Sequence, residues 1–277
     1  MTLPPGARDA RPVGGGNINE AFRVRLADGG EAFVKTRADA APGEYAAEAA
    51  GLRWLAEPQA LPVPGVLDVA EGYLALEWVE PGSLGGGGQE ELGRGLAKLH
   101  AAGAPRFGRF AEEGEEAWLG SLRLPNAPCE TWPEFYGARR LRPLARLAHE
   151  RGALSAAGWR AVERLSEGLE EVCGPPEPPA RLHGDLWSGN VHAGADGRPW
   201  LIDPAAYGGH REVDLAMLAL FGDAARTIAA YQEVAPLAEG WRERVGLYQL
   251  LPLLAHAALF GGSYGESAER MARRYGG

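Results

Sequence analysis

Apolar and polar residues alternate over Phe22-Arg23-Val24-Arg25-Leu26 and again over Glu31-Ala32-Phe33-Val34-Lys35. Asp28-Gly29-Gly30 lies between the two runs, which is the pattern of a β-hairpin. From Glu44 to Glu57 the period changes. Ala47, Leu52 and Leu55 recur among Glu and Arg, Pro58 stops the run, and the spacing predicts a helix. Val63 to Ala70 and Tyr73 to Val79 predict two further strands across a Glu71-Gly72 turn. Pro81-Gly82-Ser83-Leu84, followed by Gly85 to Gly88, reads as a linker. Beyond it the pattern is helical over Glu90 to Ala102, Trp132 to Glu150 and Ser155 to Cys173. A Pro-rich break, Gly174 to Pro179, precedes two short apolar runs, Val191-His192-Ala193 and Trp200-Leu201-Ile202, joined across Ala195-Asp196-Gly197. From Glu212 onward the chain reads as helix again, and no internal repeat is present. The expectation is an α+β chain of two lobes: a small β-rich lobe with one helix over residues 1–80, and a larger, mainly helical lobe over 81–277. A cleft between two such lobes is a natural nucleotide site.

Composition narrows this picture. With 277 residues, the chain is long enough for one large or two modest cores. Its 28 basic and 37 acidic side chains give a formal charge of −9, and no basic tract occurs, which argues against nucleic acid as a partner. Only Cys129 and Cys173 are present, in no CxxC pair, so neither a disulfide framework nor a cysteine-built zinc site is expected. The first residues carry no secretory pattern. The longest apolar stretch, near Leu247 to Phe260, is interrupted by Gln249, Pro252 and His256 and is too short to span a bilayer. A soluble, cytoplasmic protein with no membrane partner is expected, and a monomer is plausible. Of the basic residues 26 are Arg and only two are Lys. A lysine that survives such a bias draws attention, although Lys98, on a helix face, shows the limit of the hint.

The densest chemistry lies between Arg181 and Asp203. His183-Gly184-Asp185 opens the segment, Asn190 follows Asp185 by five residues, and Asp203 ends the second short strand. Phosphoryl transfer from ATP needs a carboxylate to orient the acceptor hydroxyl and take its proton, together with oxygen ligands for Mg2+. D-x-x-x-x-N followed by a later Asp is the kinase spacing for those roles; an Asx-rich surface loop around a hairpin is the plain alternative. Upstream, Gly14, Gly15, Gly16 and Asn17 precede the first hairpin strand, where backbone N–H groups can approach phosphate oxygens or where the loop is simply flexible. Lys35, at the end of the second strand, is placed to pair phosphates. Glu48 in the following helix is its candidate partner, with Glu44 one turn earlier as the competitor. Glu77, Trp78 and Val79 form either a hinge whose backbone meets adenine or a buried strand end.

These residues lie in stretches that resemble the fructosamine (ketosamine) kinase family, in the aminoglycoside-phosphotransferase-like branch of the protein-kinase-like fold. The matching segments include GGNINEAFRVRLADGGEAFVK, EYAAEAAGLRWLA, WLGSLRLPN, FYGARRLRPLARLA, RLHGDLWSGN and IDPAAYGGHREVDLAMLALFG, and the likeness runs nearly to the end of the chain. The resemblance implies an ATP- and Mg2+-dependent kinase acting on the 3-hydroxyl of ribulosamines, erythrulosamines or fructosamines. The 3-phosphate then decomposes and frees the amine, which amounts to deglycation of a small-molecule or protein-linked ketosamine. By the same resemblance Asp185 is the catalytic base, Asn190 and Asp203 hold the metal, and Lys35 with Glu48 positions the phosphates. Trp187 packs against the sugar or lies under the loop as core. His183 braces the loop, Asp214 tethers it, and His210 and Arg211 line the acceptor side. Phe107 to Glu116 departs from the family pattern. Other small-molecule kinases of the aminoglycoside or choline type, and a non-catalytic nucleotide-binding module, are the alternative readings.

Overall fold

The structure, a computed structural model, describes residues 2–14, 19–111 and 116–276. Its N-terminal part is a five-stranded antiparallel sheet in the order β1-β2-β3-β5-β4, formed by β1 (Arg8–Pro12), β2 (Glu20–Arg25), β3 (Glu31–Thr36), β4 (Val66–Ala70) and β5 (Tyr73–Glu77). The β2–β3 hairpin has the expected register, with Phe22 opposite Val34 and Arg25 opposite Glu31. Gly29 takes φ 89 in the turn, a backbone state that costs glycine nothing. Val24, Ala32, Val34, Tyr73 and Ala75 fill one side of the sheet.

α1 (Glu44–Ala56), the one helix of this part among the described residues, covers the other side. Gly43 precedes it at φ 85, and the carboxylate of Glu44 in its first turn accepts the Ala41 N–H at 3.2 Å. An acidic residue there also complements the positive end of the helix dipole. Tyr45, Ala49 and Leu52 pack on Leu74 and Leu76 of β5.

The glycine-rich stretch is less of a linker than its composition suggests. Pro81 bridges Gly194, and the Gly82 N–H donates to the Ala193 carbonyl at 2.8 Å. A Cβ at Gly82 would sit 2.3 Å from the Gly194 carbonyl oxygen, so the close approach itself requires glycine. Gly86, Gly87 and Gly88 are already the first turn of α2 (Gly86–Ala101).

After α2 come the hairpin β6 (Glu116–Leu119) and β7 (Leu122–Pro125), which the hydropathy pattern missed. The helix expected over 132–150 divides into α3 (Trp132–Phe135), a widened π-helical turn at Tyr136–Leu141, and α4 (Arg142–Glu150). Next are α5 (Ala156–Glu167), capped by the Ser155 hydroxyl accepting the Gly158 N–H at 2.9 Å, and the short α6 (Leu169–Val172). β8 (Ala180–Leu182) pairs with β11 (Tyr207–Gly209), and β9 (Val191–Ala193) pairs with β10 (Pro199–Leu201) as the expected hairpin. Four helices complete the chain: α7 (Glu212–Leu220), α8 (Ala225–Val234), α9 (Trp241–Phe260) and α10 (Tyr264–Gly276).

α9 is sheathed by other helices. Leu247, Tyr248, Leu250, Leu251 and Leu254 are all buried in the largest apolar cluster. Such all-round burial explains why the run looked apolar without an amphipathic stripe. No helix among the described residues is long and apolar enough to cross a membrane. Both cysteines are buried and free.

Candidate active site

Between the sheet and the helical part lies a cavity of about 570 Å³, and Lys35, Glu48, Asp185, Trp187, Asn190 and Asp203 all line it. Lys35 reaches it from the penultimate position of β3. Its ammonium contacts the Glu48 carboxylate and donates to Asp203 Oδ1 at 2.9 Å. Glu44, the competing partner, pairs instead with Arg37 at 2.6 Å. Burial alone would lower the pKa of Lys35, but attraction from Asp203 and Glu48 outweighs it and holds the ammonium charged, above the ordinary lysine value. Glu48 is pushed up to about 7, chiefly by burial, with Lys35 opposing the shift.

The geometry of the loop from His183 to Asn190 is fixed from beneath. Asp214, fully buried in the first turn of α7, accepts the backbone N–H groups of His183 at 2.8 Å and Gly184 at 2.9 Å, and it meets His100 Nε2 at 3.2 Å. Burial opposes the Asp214 charge, yet these partners hold its pKa below the usual carboxylate value. Gly184 has φ 82, and a Cβ there would lie 2.1 Å from the Ala205 carbonyl oxygen. The His183 ring contacts the Ile202 carbonyl through Nε2 at 2.9 Å, so His183 braces the loop against the strand that delivers Asp203. Asp203 itself takes φ 52, an uncommon state for a residue with a Cβ.

At the loop's far end the Asn190 amide N–H donates to the Asp185 carbonyl at 2.8 Å and to its Oδ2 at 3.1 Å. The Asn190 amide nitrogen is thus used within the loop, while Asp203 meets Lys35 through Oδ1. The Asp185 carboxylate faces the cavity. Desolvation, reinforced by the neighbouring charge of Asp203, pushes it up to about 7. Among the described residues no group of three or more His, Cys, Asp and Glu is arranged to hold a metal. An Asp carboxylate and an Asn amide oxygen nonetheless make a hard-oxygen pair suited to Mg2+, which takes only one or two protein ligands when phosphates complete its shell.

Trp187 is 39% exposed, too open for a core tryptophan. Its indole lies across Gly189, where a Cβ would meet the ring at 2.2 Å, and it meets Phe221 edge-on at 6.2 Å. Phe221, His256, Phe260 and Tyr264 continue an aromatic wall of the same cavity. His256 sits 4.9 Å from Phe221 and 5.0 Å from Tyr264, ring to ring. No motif in the sequence marks these four; the one signal is His256, a lone His that interrupts an apolar run.

Two residues expected on the acceptor side are not there. His210 is buried, stacked on Tyr248 at 5.2 Å, and desolvation pushes its pKa down to about 4. Arg211 makes two 2.7 Å hydrogen bonds to Glu177 and reaches the carbonyls of Ala235 and Pro236. Neither lines the cavity: Arg211 fastens the Pro-rich break to the helices through Glu177, and His210 packs within the core. Glu77, Trp78 and Val79 also lie outside the cavity lining. Glu77 Oε2 accepts the Gly65 N–H at 3.1 Å, the Trp78 indole N–H donates to Glu80 at 2.7 Å, and the Val79 carbonyl meets His192 at 3.2 Å. Gly14 has open space where a Cβ would be; Gly15, Gly16 and Asn17 lie outside the described residues.

Comparison with known proteins accords with this geometry. The sequence profile of a family described as fructosamine kinase matches residues 4–275. A protein of Enterococcus faecium named as a probable ketoamine kinase is 36% identical over 268 residues, covering 95% of this chain and 94% of that protein. A chloroplastic protein-ribulosamine 3-kinase of Arabidopsis thaliana is 36% identical over 264 residues, covering 92% and 79%. Among solved structures, that of a candidate fructosamine-3-kinase from Thermobifida fusca superposes with a TM-score of 0.88 at 46% identity, covering 96% of this chain and 93% of that one.

Proposed function

Because this chain belongs to the fructosamine kinase family, we propose that it transfers the γ-phosphoryl group of ATP to the 3-hydroxyl of ketosamines, small or protein-linked, and so frees the amine they modify. Ribulosamines, erythrulosamines and fructosamines are the acceptor class. Residues 1–80 serve as the nucleotide-binding lobe and 81–277 as the lobe carrying the catalytic loop and acceptor wall. The observation that carries the reading is the convergence of Lys35, Glu48, Asp185, Asn190 and Asp203 on one cavity, from elements up to 168 residues apart in sequence.

Magnesium-bound ATP supplies the phosphoryl group and the neutralising charge. The protein's own residues do the positioning, which is most of catalysis in this chemistry. Asp185 accepts the acceptor hydroxyl's proton at its carboxylate, and a pKa of about 7 suits a base that works near neutrality. Asn190 and Asp203 offer the metal's oxygen ligands. Lys35, held between Glu48 and Asp203, directs its positive charge at the phosphates. Trp187 and the wall of Phe221, His256 and Phe260 shield the acceptor side from water and offer flat faces to a sugar.

The test uses lysine modified with ribulose, erythrulose and fructose, incubated with Mg-ATP and followed by mass spectrometry. A 3-phosphorylated product is expected from the natural chain and none from Asp185→Asn, which should still bind ATP. If no ketosamine is phosphorylated although ATP binds, the acceptor class is wrong. If Asp185→Asn turns over normally, Asp185 is not the base.

A further inference from the structure

α1 carries Glu48, yet it belongs to two cores. Its Tyr45, Ala49 and Leu52 pack on the sheet, whereas Trp54 and Leu55 pack with Leu92, Leu96, Leu99 and Leu186, the last of these lying in the catalytic loop itself. At its start, Glu44 is tied to Arg37 and the Tyr45 hydroxyl donates to Asn19 at 3.1 Å. Along its length, Gly51 lies against the segment that follows Asp203: a Cβ at Gly51 would be 3.2 Å from Ala206 Cβ and 3.6 Å from Pro204 Cγ.

At its end, the Trp54 indole stacks on Phe110 at 4.3 Å and 7° from parallel, and the Arg181 guanidinium lies over the same indole at 4.5 Å. Arg181 also donates to the Trp54 carbonyl, pairs with Glu57 at 2.9 Å, and reaches the Gly103 carbonyl at 3.3 Å. Arg181 is in β8, and His183-Gly184-Asp185 follows it directly. Phe110 is equally well anchored, since the Gly108 N–H donates to the Gly208 carbonyl at 2.8 Å and the Arg109 N–H to the Asn126 carbonyl at 3.1 Å.

From this arrangement we infer that Phe110 and Arg181 are positioning residues: by clamping Trp54 they fix α1 to the catalytic loop and hold Glu48 on Lys35. Glu48 stands less than two helical turns from Trp54, so a tilt of the freed helix end would carry the Glu48 carboxylate off the Lys35 ammonium. Buried ion pairs lose their benefit quickly once geometry slips, and a shift of about 1 Å in a positioning group costs on the order of a hundredfold in rate. Within Phe107 to Glu116, the segment that departs from the family pattern, Phe110 thereby acquires a role as one jaw of the clamp.

The inference rests on the kinase reading for its effect on turnover, but not for the clamp itself. Two measurements on the full chain separate them. The first is hydrogen exchange of the α1 amides in ligand-free natural chain, Phe110→Ala, Arg181→Met and the conservative Phe110→Tyr. Exchange across 48–56 should quicken by about tenfold in the first two variants and return in Phe110→Tyr, since a stacked ring is preserved. Unchanged protection in both variants would overturn the clamp, whatever the enzyme does.

The second is a double-mutant cycle with Glu48→Gln, read as kcat/KM for ATP. Phe110 also lines the cavity, so Arg181→Met, which does not, is the deciding member. Arg181→Met alone should lose about tenfold or more, and should add less than about twofold on top of Glu48→Gln, because both act through one ion pair. Losses that multiply, or that merely follow the fraction of folded protein, would leave Arg181 a structural residue and sink the inference. A natural chain that phosphorylates no ketosamine would refute the functional reading while the exchange experiment still decides the clamp.

Discussion

One ammonium, that of Lys35, stands between the carboxylates of Glu48 and Asp203, and its charge is what keeps both groups tolerable in the cleft. Lys35→Met should lower kcat/KM for ATP by about a hundredfold or more, since a preorganised positive charge in a shielded site is worth several kcal/mol to a transition state; steady-state kinetics at saturating ketosamine would show it, and unchanged activity would remove Lys35 from the site. Asp214→Asn tests the loop from beneath. An amide has one acceptor oxygen, so it cannot accept from both the His183 and Gly184 N–H groups and from His100 as the carboxylate does. A loss of about 1–3 kcal/mol in urea unfolding is expected, with reduced kcat, because a buried donor is left unpaired. These central residues were legible in the sequence because chemistry sets their spacing: Asp185 and Asn190 must flank one turn, and Asp203 must end the adjoining strand. His210 and Arg211 were misplaced for the opposite reason. What they face is decided by Glu177, a partner 34 residues from Arg211 in sequence, and no local pattern announces such a pairing.

Among elements, those whose period reports burial on one face were readable, and those set by their neighbours were not. The β2–β3 hairpin and α1 fall where the hydropathy pattern puts them, with α1 ending within a residue of the expected stop. β6, β7, β8 and β11 are only three or four residues long, too short for alternation to be seen, and the hairpin or cross-sheet pairing that defines them is a tertiary fact. The glycines of 85–88 misled because composition alone does not distinguish a flexible joint from close packing. α2 illustrates the packing case further along. At Gly93 a Cβ would fall 2.1 Å from the Thr227 carbonyl oxygen of α8, whereas at Gly87 nothing lies within 4 Å. Gly93→Ala should therefore destabilise by about 1–3 kcal/mol as the two helices are pushed apart, while Gly87→Ala should be neutral or stabilising by up to about 1 kcal/mol through the unfolded chain. Equal effects in chemical denaturation would mean that α2 and α8 do not meet as closely as this.

For the whole molecule, the acid side of the stability curve depends on groups whose proton affinities change in opposite directions on folding. His210 falls from 6.5 to about 4 because it is buried, with the Arg211 and Arg244 charges adding to the effect against Glu177. Between those values the unfolded chain binds a proton that the folded chain refuses, so this residue's contribution is intact above pH 6.5 and is lost as pH falls toward 4. At about 1.4 kcal/mol per tenfold in proton affinity, the full window amounts to about 3 kcal/mol. Glu48 and Asp185, each pushed up to about 7, act with the reverse sign, because the folded chain holds protons there that the unfolded chain releases. Their joint contribution grows as pH falls from 7 and outweighs the histidine's in the natural protein. The difference between the natural chain and His210→Phe isolates it. Phe keeps a ring against Tyr248 and Trp132 but gives up the weak acceptor for the Glu212 N–H, a loss that does not vary with pH. Denaturant unfolding of the nucleotide-free protein at intervals from pH 7 to pH 4.5 should show His210→Phe less stable or equal near neutrality, with the gap narrowing and then reversing as acid is added. Two parallel curves would mean that the His210 ring finds its proton in the folded state after all, and that the Glu177–Arg211 pairing beside it opens to admit one.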